Sequence, residues 1–235
     1  KNLARDYTAV FPVLPFEHNL LIAGGVHSIY CGHPLLDALS TNQNETTHAP
    51  TKPVLALLPG SRKQELNKML PALLEVAKLF PEMEAVIAGA PGASDTLYKQ
   101  AQNAGVNVVF GQTRELLKSA EVAVITSGTA TLEAALLNTP HVLVYKTSSL
   151  TYAVAKLLVH VKFIGLTNLI LNREVVPELI QGRCTAGNIA KEIQSLETST
   201  QREAFAELRV SLGDRGASER IAEKMLEVIS VDHPS

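Results

Sequence analysis

The chain of 235 residues has no tryptophan, two cysteines and only 5% aromatic residues. Cys31 and Cys184 are too few to staple a secreted scaffold, so a hydrophobic core must hold the fold, and a reducing cytoplasm fits best. Charged residues reach only 19%, below the roughly 25% usual for soluble domains, which points to extensive covered or apolar surface. Neither sign dominates. With 21 Lys and Arg against 23 Asp and Glu the net charge is −2, so no chain-wide basic field is expected to hold nucleic acid. No uninterrupted apolar run spans a bilayer, since Lys156, His160 and Lys162 break the stretch 150–171. The first residue is Lys1, and no charged-then-apolar signal segment follows it. A start of this kind is expected of a piece cut from a longer chain.

Several chemical signatures are also missing. There is no G-x-G-x-x-G for a nicotinamide dinucleotide and no G-x-x-x-x-G-K-[ST] for a P-loop. No H-E-x-x-H or paired C-x-x-C suggests zinc. His18, His27, His33, His141 and His160 lack metal-ligand spacing and read as structural, while Met69 and Met83 read as core. Neither a metal nor a resident cofactor is therefore expected.

What is present is a core and a rhythm. Hydrophobic residues make up 46% of the chain. Continuous apolar runs at Val54–Leu58, Ala85–Ala88, Val106–Phe110, Val122–Ile125 and His141–Tyr145 have the pattern of parallel strands covered on both faces. Helix-length stretches lie between them at about 63–80, 94–104, 113–120 and 129–138. The alternation predicts an α/β fold with a doubly wound parallel sheet. Residues 1–40, with a strand-like run over Ala9–Leu14, read as the tail of a preceding lobe, and the polar stretch 41–53 as a linker. The sheet-bearing lobe is expected over 54–214. A C-terminal helix is expected over 215–235, its Ile221, Met225, Leu226 and Ile229 lining one face, packed on another lobe or a partner chain.

Two strand–turn–helix junctions carry candidate chemistry. In the first, Pro59-Gly60-Ser61-Arg62, Gly60 permits close backbone approach, Ser61 can cap the helix, and Arg62 offers a planar fork for phosphate. The plain alternative is a capped helix with a solvated arginine. In the second, Thr126-Ser127-Gly128-Thr129-Ala130-Thr131-Leu132-Glu133, hydroxyls and backbone N–H groups face a prospective phosphate. Glu133 falls near the end of the first helical turn, where its two oxygens could accept both hydroxyls of a ribose. The alternative is an ordinary Ser/Thr-capped helix. A nucleoside diphosphate would use both turns. No Asp-x-Asp pair is present to hold a metal, so arginine and helix N-termini would have to neutralise the diphosphate. Asn168 and Gln181 carry amides able to orient a sugar or base, although composition alone makes them loop and helix-surface residues. From Ala134 to Arg173 there is no acid while Lys146, Lys156, Lys162 and Arg173 are present, suiting an anionic or lipid-bearing substrate or a membrane surface, or else a covered helix with snorkelling lysines.

The ordered set Phe16-Glu17, Tyr30-Cys31-Gly32-His33-Pro34-Leu35, Leu58 to Arg62, Ser127 to Glu133, Thr151-Tyr152, Asn168-Leu169-Ile170 and Val176 to Gln181 resembles the lipid-A-disaccharide synthase family, from about residue 8 to 222. The resemblance implies a GT-B architecture of two Rossmann-like lobes, the second binding UDP. It implies inverting transfer of 2,3-diacylglucosamine from UDP-diacylglucosamine to lipid X (2,3-diacylglucosamine 1-phosphate), forming the β-1,6 disaccharide of lipid A. It also implies a peripheral place on the cytoplasmic face of the bacterial inner membrane. Carried over residue by residue, Arg62 lies beside the diphosphate, Ser127 to Thr131 hold phosphate oxygens, Glu133 binds ribose, and Asn168 and Gln181 line the donor site. The catalytic base would belong to the first lobe, almost wholly absent here, so this chain alone is expected to bind UDP without turnover. Loss of that lobe predicts a homodimer that covers the C-terminal helix. Cys31 stands in a Y-V-G-H-P pattern where valine is expected, a change assigned to a buried spot, and Asn172 replaces a common glycine with the other residue that tolerates left-handed backbone. A non-catalytic nucleotide-sugar-binding lobe and another UDP-sugar GT-B enzyme remain the alternatives.

Overall fold

The computed structural model describes residues 2–40, 52–90, 92, 95–147 and 162–232. Most of the expected linker, the Thr151-Tyr152 pair, and Lys156 and His160 lie outside the described residues. Two compact units are present, Lys1–Gln43 with Glu207–Ser235, and Asn44–Ala206.

The first unit opens with helices α1 (Leu3–Asp6), α2 (Pro15–Ala23) and α3 (Leu35–Ser40). The expected strand over Ala9–Leu14 is not formed. Only an isolated bridge joins Val10 to Ser28, because Pro12 and Pro15 have no N–H for a ladder, and Pro15 instead opens α2 at its first position. Cys31 is half-buried, so the spot it occupies is not the buried one expected of it.

In the second unit, β1 (Val54–Leu58) leads through α4 (Lys63–Lys78) to β2 (Glu84–Gly89). A short 3-10 turn and α5 (Lys99–Asn103) precede β3 (Asn107–Phe110). Then follow α6 (Thr113–Ser119), β4 (Ala120–Thr126), α7 (Thr129–Leu136) and β5 (His141–Tyr145). After the next described segment come α8 (Leu166–Leu171), β6 (Glu178–Ile180) and α9 (Ala186–Gln194). Helix α10 (Thr198–Leu212) contains the division between units, between Ala206 and Glu207, eight residues before the boundary the sequence suggested. Helix α11 (Ala217–Asp232) ends the described chain, after left-handed Gly213 and Gly216.

The six strands form one sheet in the order β3-β2-β1-β4-β5-β6, every pairing parallel. This is the doubly wound sheet predicted from the apolar runs. Strand β1 is buried at all five positions, because helices cover both faces. One core cluster packs Leu55, Leu57, Met69, Leu73, Ile87 and Val124, and the other face packs Ala56, Leu58, Leu117, Ala123 and Ile125. Strand β6 carried no apolar run. It is three residues long, follows Pro177, and begins with a buried glutamate.

Within the first unit, α11 is tied to residues 31–37. The Asp37 carboxylate accepts the Gly216 and Ser218 N–H groups at 2.6 and 2.9 Å, bonds that hold its pKa below the usual value, Ser218 foremost. The Arg220 guanidinium donates to the carbonyls of Cys31, Asp214 and Arg215.

Candidate functional site

Parallel strands bring all their carboxyl ends to one edge. The chain runs outward from β1 to β2 and β3, then returns to β4 on the other side, so the switch point of the sheet lies between β1 and β4. Leu58 pairs with Ile125 there, Thr126 with Val144, and Tyr145 with Ile180. The turns after β1 and β4 are therefore neighbours, with Gln181 on the same edge two strands away.

The first turn is closed on itself. Gly60 has φ +98°, and a Cβ on it would lie 2.6 Å from Glu65 Oε2. That oxygen accepts the N–H groups of Ser61 and Arg62, each at 3.2 Å, while Oε1 accepts from the Arg62 guanidinium at 2.8 Å. Glu65 is the third residue of α4 and reaches back over the helix start. Ser61 is thus not the cap, since Arg62 occupies that position, and the N–H groups expected to await an anion already hold a carboxylate. The Arg62 side chain remains 82% exposed beyond this pair. A cavity of 240 Å³ opens beside it, lined by Arg62, Lys63, Glu65, Lys68, Tyr145 and Lys146 among others, with four cations against one carboxylate.

The second turn is open. Gly128 and Thr129 are exposed, and the nearest atom to a Cβ built on Gly128 is 4.0 Å away. The Thr129 and Ala130 N–H groups belong to the first turn of α7 and have no intrahelical acceptor. Two groups behave otherwise than expected. The Ser127 N–H donates to Val144, and the Thr131 hydroxyl, buried, donates to the Gly128 carbonyl. What the turn offers is its backbone after Ser127 and the Ser127 and Thr129 hydroxyls. Thr126, 4% exposed, has a buried hydroxyl oxygen without a hydrogen-bond partner.

Glu133 is the fifth residue of α7, past the first turn rather than near its end, so the helix dipole does little for it. Arg114 of α6 pairs with it instead, Nε donating to Oε1 at 2.6 Å, with the two side chains 27% and 18% exposed. Sequence reasoning missed Arg114. Its position in the first turn of the helix after a parallel strand was the available signal.

Asn168 does not face the site. It is fully buried, its Nδ2 donating to the Val176 carbonyl and Glu178 Oε1 and its Oδ1 accepting the Val175 and Val176 N–H groups. Its amide is spent on tying α8 to β6. Glu178 also accepts the Ile164 and Gly165 N–H groups, so the pair forms one closed network. Asn172 ends α8 with φ +51°, as its left-handed tolerance allows. Gln181, with φ +53°, stands at the end of β6, its Oε1 accepting the Thr147 N–H at 3.4 Å and its buried Nε2 unpartnered. Among the described residues no group of three His, Cys, Asp or Glu is placed to hold a metal ion, and no helix is long and apolar enough to cross a membrane.

With this geometry in view, the chain matches the family model for lipid-A-disaccharide synthetase over residues 1–228. The chain belongs to that family. It is 37% identical to the lipid-A-disaccharide synthase of Syntrophus aciditrophicus (strain SB), over 92% of this chain and 62% of that protein. It is 35% identical to that of Myxococcus xanthus (strain DK1622), over 92% and 61%. The chain thus spans about three-fifths of the length of these curated relatives. Among solved structures it is similar to UDP-GlcNAc 2-epimerase from Neisseria meningitidis bound to UDP-GlcNAc, with TM-score 0.61 and 18% identity over 94% of this chain and 61% of that one. It is also similar to the pneumococcal O-GlcNAc transferase GtfA in complex with UDP and GlcNAc, with TM-score 0.57 and 12% identity over 97% and 46%. These likenesses establish a GT-B-like fold for this member of the lipid-A-disaccharide synthetase family.

Proposed function

We propose that this chain is the donor-binding part of a lipid-A-disaccharide synthase, and that the whole protein transfers 2,3-diacylglucosamine from its UDP derivative to lipid X. The observation that carries the reading is the meeting of the two turns at the switch point of the sheet, the place where open α/β sheets bind ligands. In the transfer, the acceptor 6-hydroxyl attacks the anomeric carbon, the bond from that carbon to the diphosphate oxygen breaks, UDP leaves, and the configuration inverts. The Arg62 guanidinium and the N–H groups at the start of α7 meet the charge that develops on the leaving diphosphate. The reading assigns no metal and no resident cofactor to that step. The proton of the attacking hydroxyl goes to a base, which the reading assigns to the length of the relatives that this chain does not match. Ser61, Ser127, Gly128, Thr129, Ala130, Glu133 and Gln181 complete the donor site. A peripheral association with the bacterial inner membrane from the cytoplasmic side, and a homodimer, belong to the same proposal.

Calorimetric titration of the chain with UDP tests it. UDP is expected to bind, and Arg62→Ala and Glu133→Ala are each expected to weaken binding about tenfold, the size of one charge-assisted contact. A chain that takes up no UDP, or both variants binding as well as the parent, would sink the reading. Turnover is read on the full-length protein, where disaccharide must form with lipid X and not with an acceptor of another class.

A further inference from the structure

The structure assigns to Arg114 the role of a positioning residue that holds Glu133 in readiness for the hydroxyls of a ribose. This inference rests on the nucleotide reading of the site given above. Glu133 and Arg114 lie nineteen residues apart and come from different helices, α7 after β4 and α6 after β3. Their contact ties together the helices that follow two strands of the sheet on either side of β1 and β2. On the Glu133 carboxylate the guanidinium meets Oε1, through Nε at 2.6 Å. Glu133 Oε2 accepts no hydrogen bond from a described residue, although both side chains are more than two-thirds covered. An acceptor oxygen held in place but left without a donor is what a diol requires.

Two consequences follow from the pairing. A glutamate side chain has three rotatable bonds, and a carboxylate that must meet two hydroxyls loses that freedom on binding. The arginine removes it beforehand, so less is lost when the nucleotide arrives. The carboxylate would also repel a diphosphate bound at the neighbouring turn, and the guanidinium cancels that charge at its source. A lysine at 114 can supply the charge but not the planar fork, so the two contributions are separable.

The test compares UDP with 2′-deoxy-UDP by calorimetry on the whole chain, with a thermal melt to show that each variant is folded. The parent is expected to prefer UDP by about tenfold, the worth of one hydrogen bond to a charged acceptor. Arg114→Ala is expected to abolish that preference, bringing UDP down to the level of the deoxy ligand, as Glu133→Ala does. The double variant should bind no worse than either single one, the mark of residues acting as a unit. Arg114→Lys is expected to recover part of the affinity for both ligands without recovering the preference, and it also serves as the readable variant if Arg114→Ala melts early. An Arg114→Ala or Arg114→Lys protein that keeps the full preference overturns this inference while leaving the nucleotide site intact. A parent chain that binds UDP without preference, or does not bind it, overturns the ribose reading itself.

Discussion

The two turns at the switch point share one pattern, strand, small residues, helix, and one acidic residue within the first five positions of the helix that follows. They differ in where that residue falls. Glu65 is the third residue of α4, close enough to fold back over the helix start and take the Ser61 and Arg62 N–H groups. Glu133 is the fifth residue of α7, too far along to reach its own turn, and it pairs outward with Arg114. A displacement of two positions thus converts a carboxylate that closes its turn into one that leaves its turn open and stands beside it. The first turn contributes a tethered guanidinium. The second contributes bare backbone donors and an oriented carboxylate.

The largest expected effect breaks the comparison at its glycines. Gly60→Ala places a methyl group 2.6 Å from Glu65 Oε2 at a φ of +98°, and should destabilise the chain by about 3 kcal/mol in urea unfolding. Gly128→Ala meets nothing nearer than 4.0 Å and should change stability by less than about 0.5 kcal/mol. Equal losses at the two positions would show that the turns are not packed differently.

Next in size is a background that both turns share. His141 opens β5 beside β4, fully buried, stacked on Phe205, and burial pushes its pKa from 6.5 to about 4, against a smaller opposing effect of its bond to the Thr139 carbonyl. Between those values the unfolded chain binds a proton that the folded chain excludes, so stability falls as pH drops from about 6.5 towards 4, by about 3 kcal/mol at most. Urea midpoints at pH 7.5 and 4.5 measure it, and His141→Phe should flatten the slope. Comparisons between the turns therefore belong above pH 6.5, where this contribution is constant.

The smallest effect separates the two glutamates. Glu65→Ala removes the carboxylate that caps α4 and should cost about 1 kcal/mol, while Glu65→Gln, which still accepts the backbone N–H groups, should cost a few tenths. Glu133→Ala should leave urea unfolding within about 0.5 kcal/mol of the parent, since its ion pair is partly solvated, and act on nucleotide binding instead. A larger stability loss at Glu133 than at Glu65 would invert the assignment.

Much of this arrangement was legible beforehand. All five apolar runs became strands; in β1, β4 and β5 nearly every residue is buried, as covering on both faces requires, while the edge strand β3 was legible from its hydrophobicity alone. Strand β6 escaped notice, as Pro177 and Glu178 carry no such mark, and its glutamate is tolerated only because backbone N–H groups and Asn168 surround it. The Ala9–Leu14 run misled because its prolines outweighed its hydrophobicity. Arg62 and Glu133 were singled out by residue type and position after a strand, Asn168 and Gln181 by their amides and the family resemblance. Of those two amides, that of Gln181 stands just past β6, while that of Asn168 is buried and bonded to the backbone around β6.

The amino-acid sequence alone determined the parallel sheet, its helices and the two junctions at its carboxyl edge, since periodicity, turn residues and the alternation of strand with helix are local properties. Tertiary structure alone decided which donors at those junctions stay available, which amide is consumed by the core, and that an arginine from α6 meets a glutamate from α7. Such pairings depend on strand order, and strand order brings together side chains that no local pattern connects.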